Sequence, residues 1–235
     1  MAASFEFQGR KYVLDDTAKQ YKTAFDDCRG ALEETAAIFR EPGFDTDMNG
    51  WKPDHSSQTT KMFYSDRKNG RYFCGKTQLP LTTEKALAAV FADVESSVKW
   101  NDSYKFSKKH MQLGEDLDIS HYATNKKLIV EGREFICARA VFRDADGSIL
   151  FAAKSTELKE IKEGEHGVRA HLYISAGRVR PLPNDATKCT YDYVVCVDMK
   201  GMMWKSVLNP VLGRLLHEDV ENVRRHCEKL AAEGK

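Results

Sequence analysis

Apolar residues recur along this chain in two periods. In 15–39, "DDTAKQYKTAFDDCRGALEETAAIF", Tyr21, Phe25, Cys28, Leu32, Ala36 and Phe39 recur at spacings of three and four. That spacing predicts a helix with one apolar face, capped by Asp15, Asp16 or Thr17. Pro42 and Gly43 end it. Three strands are expected next, in "WKPDHSS", "TTKMFYS" and "GRYFCGKTQL", with a turn at "RKNG". "TTEKALAAVFADVESSVKW" predicts a helical segment capped by Thr82 or Thr83.

Beyond residue 103 the period falls to two. Strands are expected in "YKFSKKHMQL", "LDISHYAT", "REFICARAVFRD", "SILFAAKSTELKEI", "VRAHLYISAGRVRPL" and "KCTYDYVVCVDM". "RDADGS" carries the Asp-Gly chemistry of a tight hairpin. After Gly201 the longer period returns. Trp204, Leu208, Leu212, Leu216, Val220, Val223, Cys227 and Leu230 form a stripe, widened by Val207, Val211 and Leu215. It predicts a terminal helix of about 25–30 residues. Successive strands with short links make an antiparallel sheet, so the class is α+β. The long helix buries its stripe on that sheet, either as ordinary core or as the cover of a ligand space.

One residue bears on that choice. Alternation in "REFICARAVFRD" puts Phe135, Cys137, Arg139 and Val141 on one face, and both faces are largely apolar. Arg139 is a lone charge in mid-strand. A buried guanidinium is costly unless paired, and it does not shed its proton. It belongs to a structural ion pair, or it presents donors to a ligand or water in a cavity.

Composition excludes more than it selects. Net charge is +1, so no global field points to nucleic acid. Cys28, Cys74, Cys137, Cys189, Cys196 and Cys227 include no C-x-x-C pair and read as reduced, mostly buried thiols. The start "MAASFEFQGRKYVLDD" lacks an apolar signal core, and no run approaches the ~18–20 apolar residues of a membrane span. A soluble, cytoplasmic chain is expected. There is no P-loop, G-x-S-x-G or H-E-x-x-H, and the seven histidines show no metal spacing. His121 and His171 read as hydrogen-bonding or solvent-facing residues, His217 and His226 as helix surface. Lys105, Lys108, Lys109 and His110 read as a solvated face.

Four stretches, in order and properly spaced, resemble a known family: "VKWNDS" (98–103), "REFICAR" (133–139), "GVRAHLYISAGRVRPLP" (167–183) and "VDMKGMMWKSVLN" (197–209). The chain resembles START (StAR-related lipid-transfer) domains over about residues 17–232, in the sterol-binding branch. The resemblance implies a helix-grip fold: a curved antiparallel sheet of about nine strands wrapped on a C-terminal lid helix, enclosing a tunnel for one lipid. Arg139 matches the family's buried tunnel arginine. In sterol-binding relatives that arginine faces an acid on the neighbouring strand; the aligned position here is Tyr122, with Ser120 and Asp118 on the same alternation face. Asp118 can substitute for the missing acid, and so can Asp192 if its face turns inward.

The expectations are then specific. Residues 1–16 form an N-terminal extension, 17–232 the lipid-binding domain and 233–235 a tail. The ligand-binding set is Arg139, Tyr122, Ser120, Asp118, Trp100, Asn101, Phe135, Cys137, Val141, Leu172, Tyr193, Trp204, Leu208 and Leu212. Leu128, Ile129 and Val130 form one apolar tip at the tunnel mouth, beside Lys126 and Lys127; Met202, Met203 and Trp204 form another, and both touch a membrane transiently while the ligand passes. Pro210 interrupts the helix ladder near the start of the lid and kinks it. The function expected is that of a monomeric, non-enzymatic carrier of a sterol, a carotenoid or another isoprenoid lipid between membranes, with no metal and no cofactor. The alternatives are a phospholipid- or fatty-acid-binding sensor module, and a helix-grip enzyme using Tyr122, Tyr193 or His171.

Overall fold

The structure, a computed structural model, describes residues 3–201 and 205–234, and of Lys205 and Ser206 only the backbone. The chain opens on a hairpin of β1 (Ser4–Phe7) and β2 (Arg10–Val13), which the periodicity did not predict. Phe5, Phe7 and Tyr12 turn to one side of it and are buried. A 3-10 turn (Asp16–Tyr21) leads into α1 (Lys22–Phe39). The expected stripe holds: Phe25, Cys28, Leu32, Ala36 and Phe39 are buried, and Phe25 packs on Phe5 with ring centroids 5.0 Å apart.

The strands follow as β3 (Lys52–Pro53), β4 (Lys61–Arg67) and β5 (Gly70–Leu79). β3 is far shorter than "WKPDHSS" suggested. Asp54 turns its carboxylate onto the next backbone amide, that of His55, at 2.8 Å, which competes with ladder pairing. The helical segment expected over 82–100 is broken in three: α2 (Thr83–Leu87), a π-helical turn (Ala88–Ala92) and α3 (Ser97–Trp100). Thr82 caps the first, accepting from the Lys85 amide. Next come β6 (Tyr104–Gly114), β7 (Leu117–Thr124), β8 (Arg133–Arg143), β9 (Ile149–Ser155), β10 (Val168–Arg169), β11 (His171–Leu182) and β12 (Asp185–Asp198), then α4 (Lys205–Ala232), with Pro210 inside the helix.

Among the described residues the main sheet has ten strands. Nine run in the order β3-β4-β5-β12-β11-β9-β8-β7-β6, antiparallel throughout, and β10 adds a short parallel pairing to β8. The Asp-Gly turn joins β8 to β9 as expected, with Gly147 at φ +82°. Exposed Lys105, Lys108 and Lys109 stand on the edge strand β6, where charge opposes pairing with a second chain. This is the helix-grip architecture. One face of the sheet packs against α1 and the N-terminal hairpin, through Ile136, Ala138, Ala140 and Phe142 of β8. The other packs against α4, through Leu212, Val220, Val223 and Cys227. All six cysteines are free thiols and all are buried.

Polar and ring contacts help to set where α4 lies. Glu221 accepts from Ser57 at 2.8 Å and from Thr59 at 3.0 Å, which ties mid-helix to the loop before β4. His226 stacks flat on Trp100, centroids 4.3 Å apart, which ties the helix to α3. His226 is thus a packing residue rather than free helix surface.

Candidate functional site

Alternation in β8 aims Phe135, Cys137, Arg139 and Val141 at the face under α4, and alternation in β7 aims Asp118, Ser120 and Tyr122 there. The antiparallel register sets Asp118 opposite Arg139, Ser120 opposite Cys137 and Tyr122 opposite Phe135. Between this face and the helix lie two adjoining cavities of about 130 and 150 Å³. Tyr104, Tyr122, Leu172, Ser175, Tyr193 and Asp219 line both. The two cavities therefore adjoin at these residues, which form the waist of a candidate tunnel of two chambers.

Arg139 stands in the first chamber, 5% exposed. Its Nε and Nη2 donate to the two carboxylate oxygens of Asp118, each at 2.7 Å, and Nη1 donates to the Phe91 carbonyl at 2.6 Å. The guanidinium also lies over the Phe91 ring, 4.5 Å from its centroid. A guanidinium has five N–H groups, so two remain for the chamber. Close by, Ser120 Oγ and Trp100 Nε1 are buried without a protein partner. The chamber thus joins aromatic walls to several unmatched polar groups, the usual makeup of a small-molecule site.

This pair corrects the expected partner. Tyr122 is not the neighbour of Arg139; it lies four pairs along the ladder, the second on this face, stacks on Phe135 at 4.9 Å and hydrogen-bonds the Cys137 thiol. The acid is Asp118. Asp192 turns to the opposite face, where Arg178 donates to it at 2.7 Å. The pair leaves both sequence readings in place, since Arg139 is ion-paired and also lines the cavity.

The other expected residues divide. Trp100, Asn101, Ser120, Leu172 and Tyr193 line the first chamber, and Phe135, Leu172, Tyr193 and Leu212 line the second. Asp118 stands behind Arg139. Cys137 and Val141 share the face but lie in the packed core beneath it, Val141 in the cluster of Phe151 and Tyr191. Leu208 lines a separate cleft beside Met199 and Gly201. Trp204, Met202 and Met203 lie outside the described residues. At the loop 125–132, Leu128 is 57% and Ile129 56% exposed while Val130 is 3% exposed and lines the second chamber. The expected three-residue tip is therefore two residues, with Val130 as a plug. Lys127 and Lys126 are held by Asp102 and Glu131.

Contributors that went unpredicted include Phe91, Tyr104, Phe151, Ser175 and Asp219. Ser175 and Tyr193 share a hydrogen bond of 3.0 Å across β11 and β12. Burial pushes the Tyr193 hydroxyl up to about 12 and the Tyr104 and Tyr122 hydroxyls higher, so all three are neutral donors at physiological pH. Asp219 sits on α4 and accepts from Ser103 Oγ at 2.9 Å; burial raises its pKa above the ordinary carboxylate value. His171, an expected candidate for acid–base work, lines neither chamber.

Comparison with known proteins agrees with this geometry. The START domain family matches residues 32–233. The chain belongs to the START family. It is 32% identical to "Steroidogenic acute regulatory-like protein 1" of Caenorhabditis elegans over 221 residues, 93% of this chain and 85% of the relative. It is 23% identical to the mitochondrial steroidogenic acute regulatory protein of Mesocricetus auratus, over 80% of this chain and 67% of the relative. Human StAR-related lipid transfer protein 5 superposes with a TM-score of 0.79 at 18% identity, covering 89% of this chain and 99% of that one, a likeness of fold.

Proposed function

We propose that this START domain binds one hydrophobic lipid in the tunnel, a sterol or another isoprenoid lipid (a carotenoid included), and carries it as a cytoplasmic monomer between membranes. The observation that carries the reading is Arg139. A guanidinium held rigid by Asp118 keeps two N–H groups for an oxygen in an otherwise aromatic and aliphatic chamber. A sterol has several hundred Å² of apolar surface, and removing it from water at ~25 cal/mol per Å² drives binding. The lone oxygen meets Arg139, or Ser120 and Trp100, so it is not left unpaired. The names of the relatives, which speak of lipid transfer and steroidogenesis, support the same class.

Native mass spectrometry of the purified chain, with lipid extraction, tests this. The expected result is one bound sterol or isoprenoid per chain, displaced by excess of the same lipid. A bound phospholipid or fatty acid would move the reading to the sensor module, and turnover of a candidate lipid would move it to an enzyme.

Loading requires a mouth. The loop 125–132 carries the plug Val130 inward and presents Leu128 and Ile129 outward. Among the described residues no helix is long and apolar enough to cross a membrane. The two exposed side chains are suited to shallow insertion beside Lys126 and Lys127. Replacing both Leu128 and Ile129 by serine is expected to cut sedimentation with anionic liposomes several-fold and to slow ligand loading from them. Affinity for a lipid supplied in detergent-free dispersion should hold. Unchanged loading from liposomes would place the membrane contact elsewhere.

A further inference from the structure

The tunnel holds a second polar centre that Arg139 does not explain. Asp219 stands on α4 three residues after Leu216 and four before Val223, so it shares the apolar stripe and turns toward the sheet. It lines both chambers, at the waist, beside Tyr104 and Tyr193. Its Oδ1 accepts from Ser103 at 2.9 Å, and Asn101 hydrogen-bonds it as well. Among the described residues no cation makes an ion pair with it; the ammonium of Lys127, whose charge acts on it, is bonded instead to Asp102 at 2.7 Å.

A carboxyl group offers four lone-pair sites, and the two neighbours use part of that capacity. Of the hydroxyls around it, Tyr193 is bonded to Ser175 and Tyr122 to Cys137. Asp219 is half-buried; an under-satisfied acid facing a lipid tunnel is unfavourable, and leucine would continue the stripe without that cost. If the ligand were apolar at the waist, the carboxyl would oppose it. A ligand that places a hydroxyl there would instead supply the missing donor.

We propose that Asp219 is a specificity-determining residue that accepts a hydrogen bond from a second hydroxyl of the ligand, so that this chain prefers a lipid with two polar groups, one at Arg139 and one at the waist, over its singly hydroxylated counterpart. This rests on the lipid-binding reading above. The chemical class is a sterol or isoprenoid diol.

The test measures the affinity of the full chain for cholesterol and for a panel of its side-chain hydroxylated derivatives, with wild type, Asp219→Leu and Asp219→Asn. The wild type is expected to bind at least one diol about ten-fold more tightly than cholesterol, the size of one hydrogen bond to a charged or strongly polar group. Asp219→Leu brings the two affinities together. Asp219→Asn keeps the side-chain shape and the bond from Ser103, and as a neutral acceptor it reduces the preference to about three-fold; it also stands as the informative variant should the leucine chain fail to fold. Cholesterol and every diol bound equally by the wild type overturns the inference and leaves the lipid-binding reading intact. So does a preference that survives in Asp219→Leu. No binding of any sterol overturns both.

Discussion

Replacing Asp118 by alanine is expected to lower the folding free energy by about 3–5 kcal/mol, the loss seen when one partner of a buried ion pair is removed. The size follows from where the pair lies. Arg139 is 5% exposed and its two bonds to Asp118 are both 2.7 Å. Without the carboxylate the guanidinium keeps only the Phe91 carbonyl and ring, and it does not deprotonate to escape. Replacing both members, Asp118→Leu with Arg139→Leu, removes the stranded charge, and most of the stability is expected to return. The double variant would still bind the ligand ~1–3 kcal/mol more weakly, because the donor to the ligand oxygen is gone. Urea titration followed by circular dichroism, beside ligand titration, separates the two effects. A loss below ~1 kcal/mol for Asp118→Ala would show that the pair is weakly coupled to folding. A folded double variant with undiminished affinity would show that Arg139 does not meet the ligand.

The identity of that acid marks where reading the sequence stopped. The alternation of β7 and β8 was visible because each face repeats every second residue, and it put Asp118, Ser120 and Tyr122 on the tunnel face. Which of the three meets Arg139 depends on register, and register is set by the turn between the strands and by pairing along the whole ladder. The pairing of β6 with β7 alone contains three irregularities, so residue spacing does not transfer simply from strand to strand. Arg139 itself was legible because a charge among apolar residues contradicts its surroundings. Asp219 carries the same contradiction within the stripe of α4, but a search for apolar spacing passes over a polar residue on the apolar side. Phe91 was hidden for another reason. The segment 82–100 has helical propensity throughout, and the break into a π-helical turn comes with a tertiary demand: the Phe91 carbonyl is taken by Arg139. The hairpin of β1 and β2 is too short for periodicity to mark.

Gly177→Ala is expected to destabilise the chain by about 3 kcal/mol, at the upper end of the usual cost of overpacking a core. A Cβ at this position would lie 2.0 Å from two ring atoms of Phe151. The two residues are paired across β11 and β9, and the ring folds over the glycine, fully buried at 1% exposure. The displacement would not stay local. Phe151 lines the first chamber and packs on Phe91 with centroids 4.7 Å apart, and Phe91 in turn covers Arg139 and accepts its Nη1 bond. A ring pushed off Gly177 enters the chamber or strips Phe91 from the arginine; either change weakens ligand binding along with stability. Phe151→Leu removes part of the ring and should relieve the clash. In a double-mutant cycle the two substitutions together are then expected to cost less than their sum, by ~1 kcal/mol or more. Thermal unfolding of the four chains measures this. A Gly177→Ala chain with the wild-type melting temperature would show that the ring moves aside freely, and that the first chamber is not held in shape by the packing of Phe151 on Phe91.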